Sequence, residues 1–246
     1  MVDSSLAEAA SSTHAMYPFV SIIMPALDEE KTIGKVVSEI VSLMTQHRLI
    51  FEVIVVDDHS ADKTVSVARR SGAIVLSNGR TRGKGYCLRK GLLKARGDVI
   101  VTMDSDGEHR PTEIIRLLRC AFQGTDVVAG SRYLNGTRNF TSKIHLVGNK
   151  LFNLTIMVLT GRWVTDSQTG FRVLKRKVVD TLDLQSDGYE IESEITVKTV
   201  RNGFTFKEVP ITIKRREYGI TRIKMMSDGR KILKTIFRSS LSNVAS

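Results

Sequence analysis

The stretch Val99–Glu108 reads VIVTMDSDGE. Five apolar or β-branched residues, Val99–Met103, run without a polar break and then meet three carboxylates at alternate positions, Asp104, Asp106 and Glu108. A short apolar run with no alternation is the pattern of a strand covered on both faces, and such strands belong to parallel sheets flanked by helices. Outward from this stretch the pattern repeats. Phe19–Pro25 and Phe51–Val56 are apolar runs that also end on acidic residues, at Asp28–Glu30 and Asp57–Asp58. Ala73–Leu76 and Asp126–Ala129 complete a set of five strands in the first half. Between them, Lys31–His47, Asp62–Arg70, Lys84–Arg96 and Pro111–Phe122 read as helices. The first carries Ile33, Val36, Val37, Ile40 and Met44 at helical spacing. Strand–helix alternation of this kind predicts an α/β fold with a mostly parallel, doubly wound sheet. Ligands of such sheets bind beyond the carboxyl ends of the strands, where all three acidic clusters fall.

The second half is less regular. Lys143–Thr160 and Tyr189–Arg201 read as helices and Phe171–Leu174 as a short strand. Phe204–Ile213 reads as an extended segment or hairpin around Pro210, and Met225–Leu241 as a basic amphipathic helix. With 246 residues, one α/β domain with a C-terminal elaboration fits better than two full domains. The expected divisions are a leader at 1–16, a domain at 17–225 and a C-terminal helix at 226–246. No apolar run approaches the roughly 18–20 residues of a membrane span, so no transmembrane segment is expected. Cys87 and Cys120 have no metal or disulfide spacing. The N-x-T sequons at Asn135, Asn139 and Asn153 are read as chance matches.

The net charge of +11 is uneven: Thr196–Ser246 holds twelve Lys and Arg against three Asp and Glu. A basic end of this kind suits an anionic partner. Nucleic acid is the less favoured one, because no recognition-helix motif and no interleaved aromatics accompany the charge.

Asp104–Pro111 (DSDGEHRP) can hold a hard cation such as Mg²⁺ or Mn²⁺ through its oxygens. A calcium EF-hand loop is disfavoured by His109 where Gly is required, and a plain acidic turn is the remaining alternative. Gly79–Gly85 (GRTRGKG) resembles a P-loop, but its glycine spacing is one short and Gly85 stands where Ser or Thr belongs. It remains a helix-start turn that favours an anion. Asp166–Arg172 (DSQTGFR) is a polar loop entering a strand, with Arg172 suited to phosphate. The five histidines form no zinc pattern, and no G-x-S-x-G element supports a serine hydrolase.

Taken in order, SIIMPALDEEKTI (Ser21–Ile33), FEVIVVDDHSADKT (Phe51–Thr64), GRTRGKGYCLRKGL (Gly79–Leu92), GDVIVTMDSDGEHRPTEI (Gly97–Ile114), VVAGSRY (Val127–Tyr133), TDSQTGFRVLKR (Thr165–Arg176) and GFTFKEVPITIKRR (Gly203–Arg216) resemble glycosyltransferase family 2. Within it they resemble the dolichyl-phosphate mannose and glucose synthases, over about Phe19 to Lys234. The resemblance implies a GT-A, Rossmann-like fold, a nucleotide-sugar donor and Mg²⁺ or Mn²⁺. By position, Pro25, Ala26, Asp28 and Glu29 would line the nucleoside pocket, Asp57 or Asp58 would meet the base, and Lys84 would lie near the nucleotide. Asp104, Ser105 and Asp106 match the D-x-D segment, and Asp106 with Glu108 would hold the metal. The synthases usually carry Gln where this chain has Glu108. Asp104, Asp106, Arg132, Asp166 and Arg172 would form the catalytic set. Arg132, Gln168, Arg172 and Arg215 would take the acceptor phosphate, with Lys214 and Arg216 as neighbouring candidates.

The reaction so implied is a single inverting displacement that moves a hexose from GDP-mannose or UDP-glucose to a polyprenyl or dolichyl phosphate. The expected setting is cytoplasmic, peripheral at the inner membrane face, with Ile232, Leu233, Ile236 and Phe237 forming the apolar side of an interfacial helix. Lys143–Thr160 would do the same or form a homodimer face; the alternative for both helices is that they simply pack on the domain. A soluble acceptor and a non-catalytic nucleotide-binding protein are the competing readings.

Overall fold

The computed structural model describes residues 18–134, 143–216, 218 and 225–241. The expected leader and the sequons at Asn135 and Asn139 lie outside the described residues. The strands are β1 (Val20–Ala26), β2 (Phe51–Asp57), β3 (Ile74–Ser77), β4 (Val99–Thr102), β5 (Val127–Ser131), β6 (Arg172–Lys175) and β7 (Phe206–Pro210). The helices are α1 (Ile33–Gln46), α2 (Thr64–Arg70), α3 (Lys84–Lys94), α4 (Glu113–Phe122), α5 (Lys143–Thr160), α6 (Arg176–Thr181), α7 (Ile191–Arg201) and α8 (Met225–Leu241).

These strands form one sheet in the order β3-β2-β1-β4-β6-β5-β7. Alternate residues feed two cores. Val20, Ile22 and Met24 of β1 face one layer with α1, α2 and α4, while Ile23 faces the other with α3, α7 and α8. Burying each such side chain contributes about 1.5–3 kcal/mol, which is why these strands carry no polar alternation. The strand order turns back between β1 and β4. The crevice at their carboxyl ends is therefore the place where a ligand is expected.

The parallel expectation holds except at β6, which runs antiparallel to both β4 and β5. This exception positions the site. An antiparallel strand begins where its parallel neighbours end, so the residues just before β6, Asp166–Phe171, join the carboxyl edge of β4. The chain after β7 forms no hairpin around Pro210. Pro210 instead ends β7 at the sheet edge, where a missing N–H is tolerated, and Ile213 goes on to bridge His109. α6 was not anticipated from the sequence.

One expectation about the second half is corrected. Ile232 and Ile236 of α8 are buried in the core beside α5 and α7 rather than presented outward; Phe237 alone of that set is half exposed. The outward apolar stripe is on α5: Val147, Leu151, Leu154 and Val158 are each roughly half exposed or more, at i, i+4, i+7 and i+11. Asn153, on the opposite side, is buried with its amide donating to Thr165 O at 2.8 Å, which leaves no room for a glycan. No described helix is long and apolar enough to cross a membrane.

Candidate active site

The turn after β4 lies against the end of β1. Ser105 Oγ donates to Pro25 O at 2.7 Å, fixing the start of the acidic turn to the strand beside it. Asp58 N–H donates to Ala26 O at 2.8 Å, bringing in the end of β2. The Asp28–Glu30 loop is then stapled to the loop after β2. Asp28 N–H donates to Ser60 Oγ, and Asp28 Oδ1 accepts from Ala61 N–H at 2.8 Å. Glu29 N–H donates to Thr64 Oγ1 at 2.7 Å. Pro25, Ala26, Asp28, Glu29, Asp57 and Asp58 are thus gathered at one sheet edge.

The Gly-rich loop does hold an anion, but it is the protein's own. Asp58 Oδ1 accepts the Arg82 N–H at 2.8 Å and the Asn78 amide at 2.9 Å, and Asp58 Oδ2 accepts the Gly83 N–H at 2.8 Å. This makes Asp58 the loop's anchor. The Asp57 carboxylate accepts long bonds from Ser60 N–H, 3.3 and 3.4 Å. Gly85 has a separate reason to be glycine: a Cβ there would sit 2.5 Å from Ser186 O.

Lys84, at the start of α3, is aimed inward. Its Nζ lies 2.6 Å from Asp104 Oδ1 and 3.0 Å from Glu192 Oε1. Burial works against the Lys84 charge, but the two carboxylates outweigh it and push its pKa up. Burial also works against the Asp104 charge. Lys84, then His109 and Arg132, reverse that and hold the carboxyl at about 2. Gly170 closes over this pair; a Cβ there would come within 2.8 Å of the Lys84 ammonium and both Asp104 oxygens. His109 is buried, packs on Phe171 at a centroid distance of 5.0 Å, and accepts the Asp104 N–H at Nδ1. Burial depresses its pKa despite the nearby Asp104 and Asp106.

Asp106 and Glu108 share one cation. The Arg216 guanidinium pairs with Asp106, and its Nε lies 3.2 Å from Glu108 Oε1. Among the described residues, no three His, Cys, Asp or Glu side chains converge as a ready metal site. Two hard oxygen donors facing a single positive group do suit a divalent ion that takes its remaining ligands from a diphosphate or water. Burial and the adjacent Asp106 raise the Glu108 pKa, although Arg216 pulls the other way.

Where the acceptor was expected, Arg132 grips Asp166 in bidentate fashion, Nε to Oδ2 at 2.7 Å and Nη2 to Oδ1 at 2.9 Å, and its own N–H adds a third bond. Gln168 Nε2 donates to Ser193 Oγ at 2.6 Å. Arg172 departs from its expected role. It has 0 % exposure and donates to Ser167 O, Thr169 O and Thr196 Oγ1, with Glu192 at 3.4 Å. It supports the 167–169 loop from behind and offers no N–H to an acceptor phosphate. Arg215 is exposed; the neighbour that reaches the carboxylates is Arg216. Glu192 was missed altogether. It is a buried carboxylate between Lys84 and Arg172, on a helix whose buried face is wide enough to hide it from a periodicity reading.

Residues 21–183 match the family model described as glycosyl transferase family 2, and the chain belongs to that family. A polyprenol monophosphomannose synthase of Mycolicibacterium smegmatis is 30 % identical over 236 residues, spanning 88 % of this chain and 84 % of the relative. A dolichyl-phosphate hexose transferase of Haloferax volcanii is 28 % identical, spanning 93 % and 97 %. Among solved structures, glucosyl-3-phosphoglycerate synthase of Mycobacterium tuberculosis, in complex with Mn²⁺, UDP-glucose and phosphoglyceric acid, superposes with a TM-score of 0.75. It is 21 % identical and covers 98 % of this chain and 84 % of that one. The fold is GT-A, and the chain is a glycosyltransferase-family enzyme.

Proposed function

We propose that this enzyme moves a hexose from GDP-mannose or UDP-glucose to a polyprenyl or dolichyl phosphate at the cytoplasmic face of a membrane. The observation that carries this reading is the meeting, at one sheet edge, of the Asp104–Glu108 turn with Lys84, Arg132 and the Asp166–Phe171 segment. The relatives named as lipid-phosphate sugar transferases support the acceptor class.

The donor's nucleoside would lie against Pro25, Ala26, Asp28, Glu29 and Asp57, with Asp104, Ser105 and Lys84 beside it. Asp106 and Glu108 would hold Mg²⁺ or Mn²⁺, a Lewis acid for the leaving diphosphate when bound. An acceptor phosphate oxygen attacks the anomeric carbon, and the nucleoside diphosphate departs with the electron pair of the broken C–O bond. A phosphate monoester has a second pKa of about 6, so it is already largely ionised near neutrality and needs no strong base. The buried His109, its Nδ1 occupied by a backbone N–H, fits a site that lacks one. Catalysis then rests on positioning and charge neutralisation. Arg132, preset by Asp166, and Gln168 face the acceptor. The proposed division is a catalytic domain at 17–225 and a C-terminal helix at 226–246.

The α5 stripe, with half-exposed Trp163 just beyond it, would rest on the lipid surface. Because α8 is part of the core, deleting it would test folding rather than membrane contact. Leu154→Glu with Val158→Glu leaves the core intact and should weaken pelleting with anionic vesicles. Unchanged pelleting removes α5 from the membrane, and a shift from dimer to monomer assigns the stripe to a second copy.

The deciding assay offers radiolabelled GDP-mannose or UDP-glucose together with polyprenyl phosphate or 3-phosphoglycerate. Label in the lipid phase is expected. Label in phosphoglycerate alone would replace the lipid acceptor with a soluble one.

A further inference from the structure

The segment after β7 is tied by its backbone to the acidic turn after β4. His109 and Ile213 form a bridge, and Lys214 N–H donates to Glu108 O at 2.7 Å. Two residues further on, the Arg216 side chain folds back over the turn. It pairs with Asp106 and lies 3.2 Å from Glu108 Oε1, while Asp106 Oδ1 accepts the Glu108 N–H at 3.0 Å. The other cations near the turn are held elsewhere: Lys84 pairs with Asp104 and Glu192, and Arg132, which also acts on Glu108, grips Asp166. Arg216 is therefore the group that balances the charge of Asp106 and Glu108.

We propose that Arg216 is a built-in competitor for the divalent cation: in the ligand-free enzyme its guanidinium occupies the oxygens the ion needs, and it must withdraw before the ion enters. The proposal rests on the assignment of Asp106 and Glu108 as metal-holding residues. A guanidinium and a divalent ion at the same two carboxylates repel each other strongly at contact distance. The ion alone must overcome that repulsion and break the existing pairs. A diphosphate arriving with the ion lowers both costs, since it offsets the ion's charge and offers the freed guanidinium another anion suited to its planar fork. Free metal then binds weakly, and metal and nucleotide strengthen each other's binding by one common factor. The backbone ties at Ile213 and Lys214 keep Arg216 close enough to return once the products leave.

The test is titration of the full chain with Mn²⁺ alone, followed by electron paramagnetic resonance, then repeated with UDP or GDP. Arg216→Gln and Arg216→Met should each bind Mn²⁺ about tenfold more tightly than the unaltered protein without nucleotide, and should lose most of the nucleotide's enhancement. Arg216→Lys keeps a cation in reach and should stay near the unaltered value. Arg215→Gln removes the same charge from an exposed neighbour and should shift affinity less than about threefold, as expected for a screened surface charge. The thermal midpoint of each variant without metal establishes that it is folded. Unchanged or weaker Mn²⁺ binding in both Arg216→Gln and Arg216→Met, with Asp106→Asn abolishing binding, overturns the competitor and leaves the metal assignment standing. Full Mn²⁺ binding by Asp106→Asn overturns both.

Discussion

Around β1, β2 and β4 the carboxylates stand at strand ends and are held by backbone N–H groups: Asp58 by Arg82 and Gly83, Asp28 by Ala61, Asp106 by Glu108. Around β5, β6 and α7 the charges are inside and are held by one another: Arg132 with Asp166, Arg172 and Lys84 with Glu192. Backbone donors fix a carboxylate in place without cancelling its charge, so the cations that meet this edge, Lys84 at Asp104 and Arg216 at Asp106 and Glu108, come from other parts of the chain. Buried ion pairs fix geometry by mutual dependence, and removing either partner strands the other in a poorly solvating interior. Substitutions in the first region should therefore damage transfer and spare the fold. Those in the second should damage the fold as well.

The largest effect tests the first half of that contrast. Asp106→Ala should lower turnover by about a thousandfold, the scale of losing a preorganised charge-stabilising group, with little change in thermal midpoint. Near-normal turnover would detach the acidic turn from catalysis. Next, Asp166→Ala should cost about 3–5 kcal/mol in urea unfolding, because Arg132 is left in the interior without its bidentate partner. A loss below about 1 kcal/mol would erase the distinction between the regions, since an exposed pair contributes no more than that.

The smallest effect sharpens the contrast through pH. Asp126, at the start of β5, is opposed by burial, yet Lys177 and the Thr205 N–H and hydroxyl hold its carboxyl at about 2. A carboxyl lowered in the folded state contributes stability that is full above its unfolded value near 4 and is lost as pH falls through about 2. Asp126→Asn should remove about 1–2 kcal/mol at neutral pH and flatten the stability curve between pH 4 and 2. An unchanged slope in that window would show that Asp126 is not held this way.

Much of the edge was legible before the fold was known. Asp28, Asp57 and Asp104 each follow a mainly apolar run, and such a run ends at a sheet margin. The departures share one cause, contact between residues far apart in the chain. Arg172 looked like a phosphate ligand because a polar loop precedes it, but β6 carries it inside against Thr196 and Glu192. Arg216 stands 110 residues from Asp106, and nothing local distinguishes it from Lys214 or Arg215. Ile232 and Ile236 read as an interfacial stripe, since periodicity reports an apolar face without saying what covers it.

By itself, then, the sequence determined which segments lie in the sheet, which residues close them and what chemistry gathers at that margin. Burial of an apolar run and release of a polar turn are local matters of solvation. The tertiary structure alone decided the direction of β6, the inward turn of Arg172, the place of Glu192 and the cation that meets Asp106. Each of those depends on which distant partner completes a charge or a hydrogen bond, and partners at that separation leave no trace in neighbouring residues.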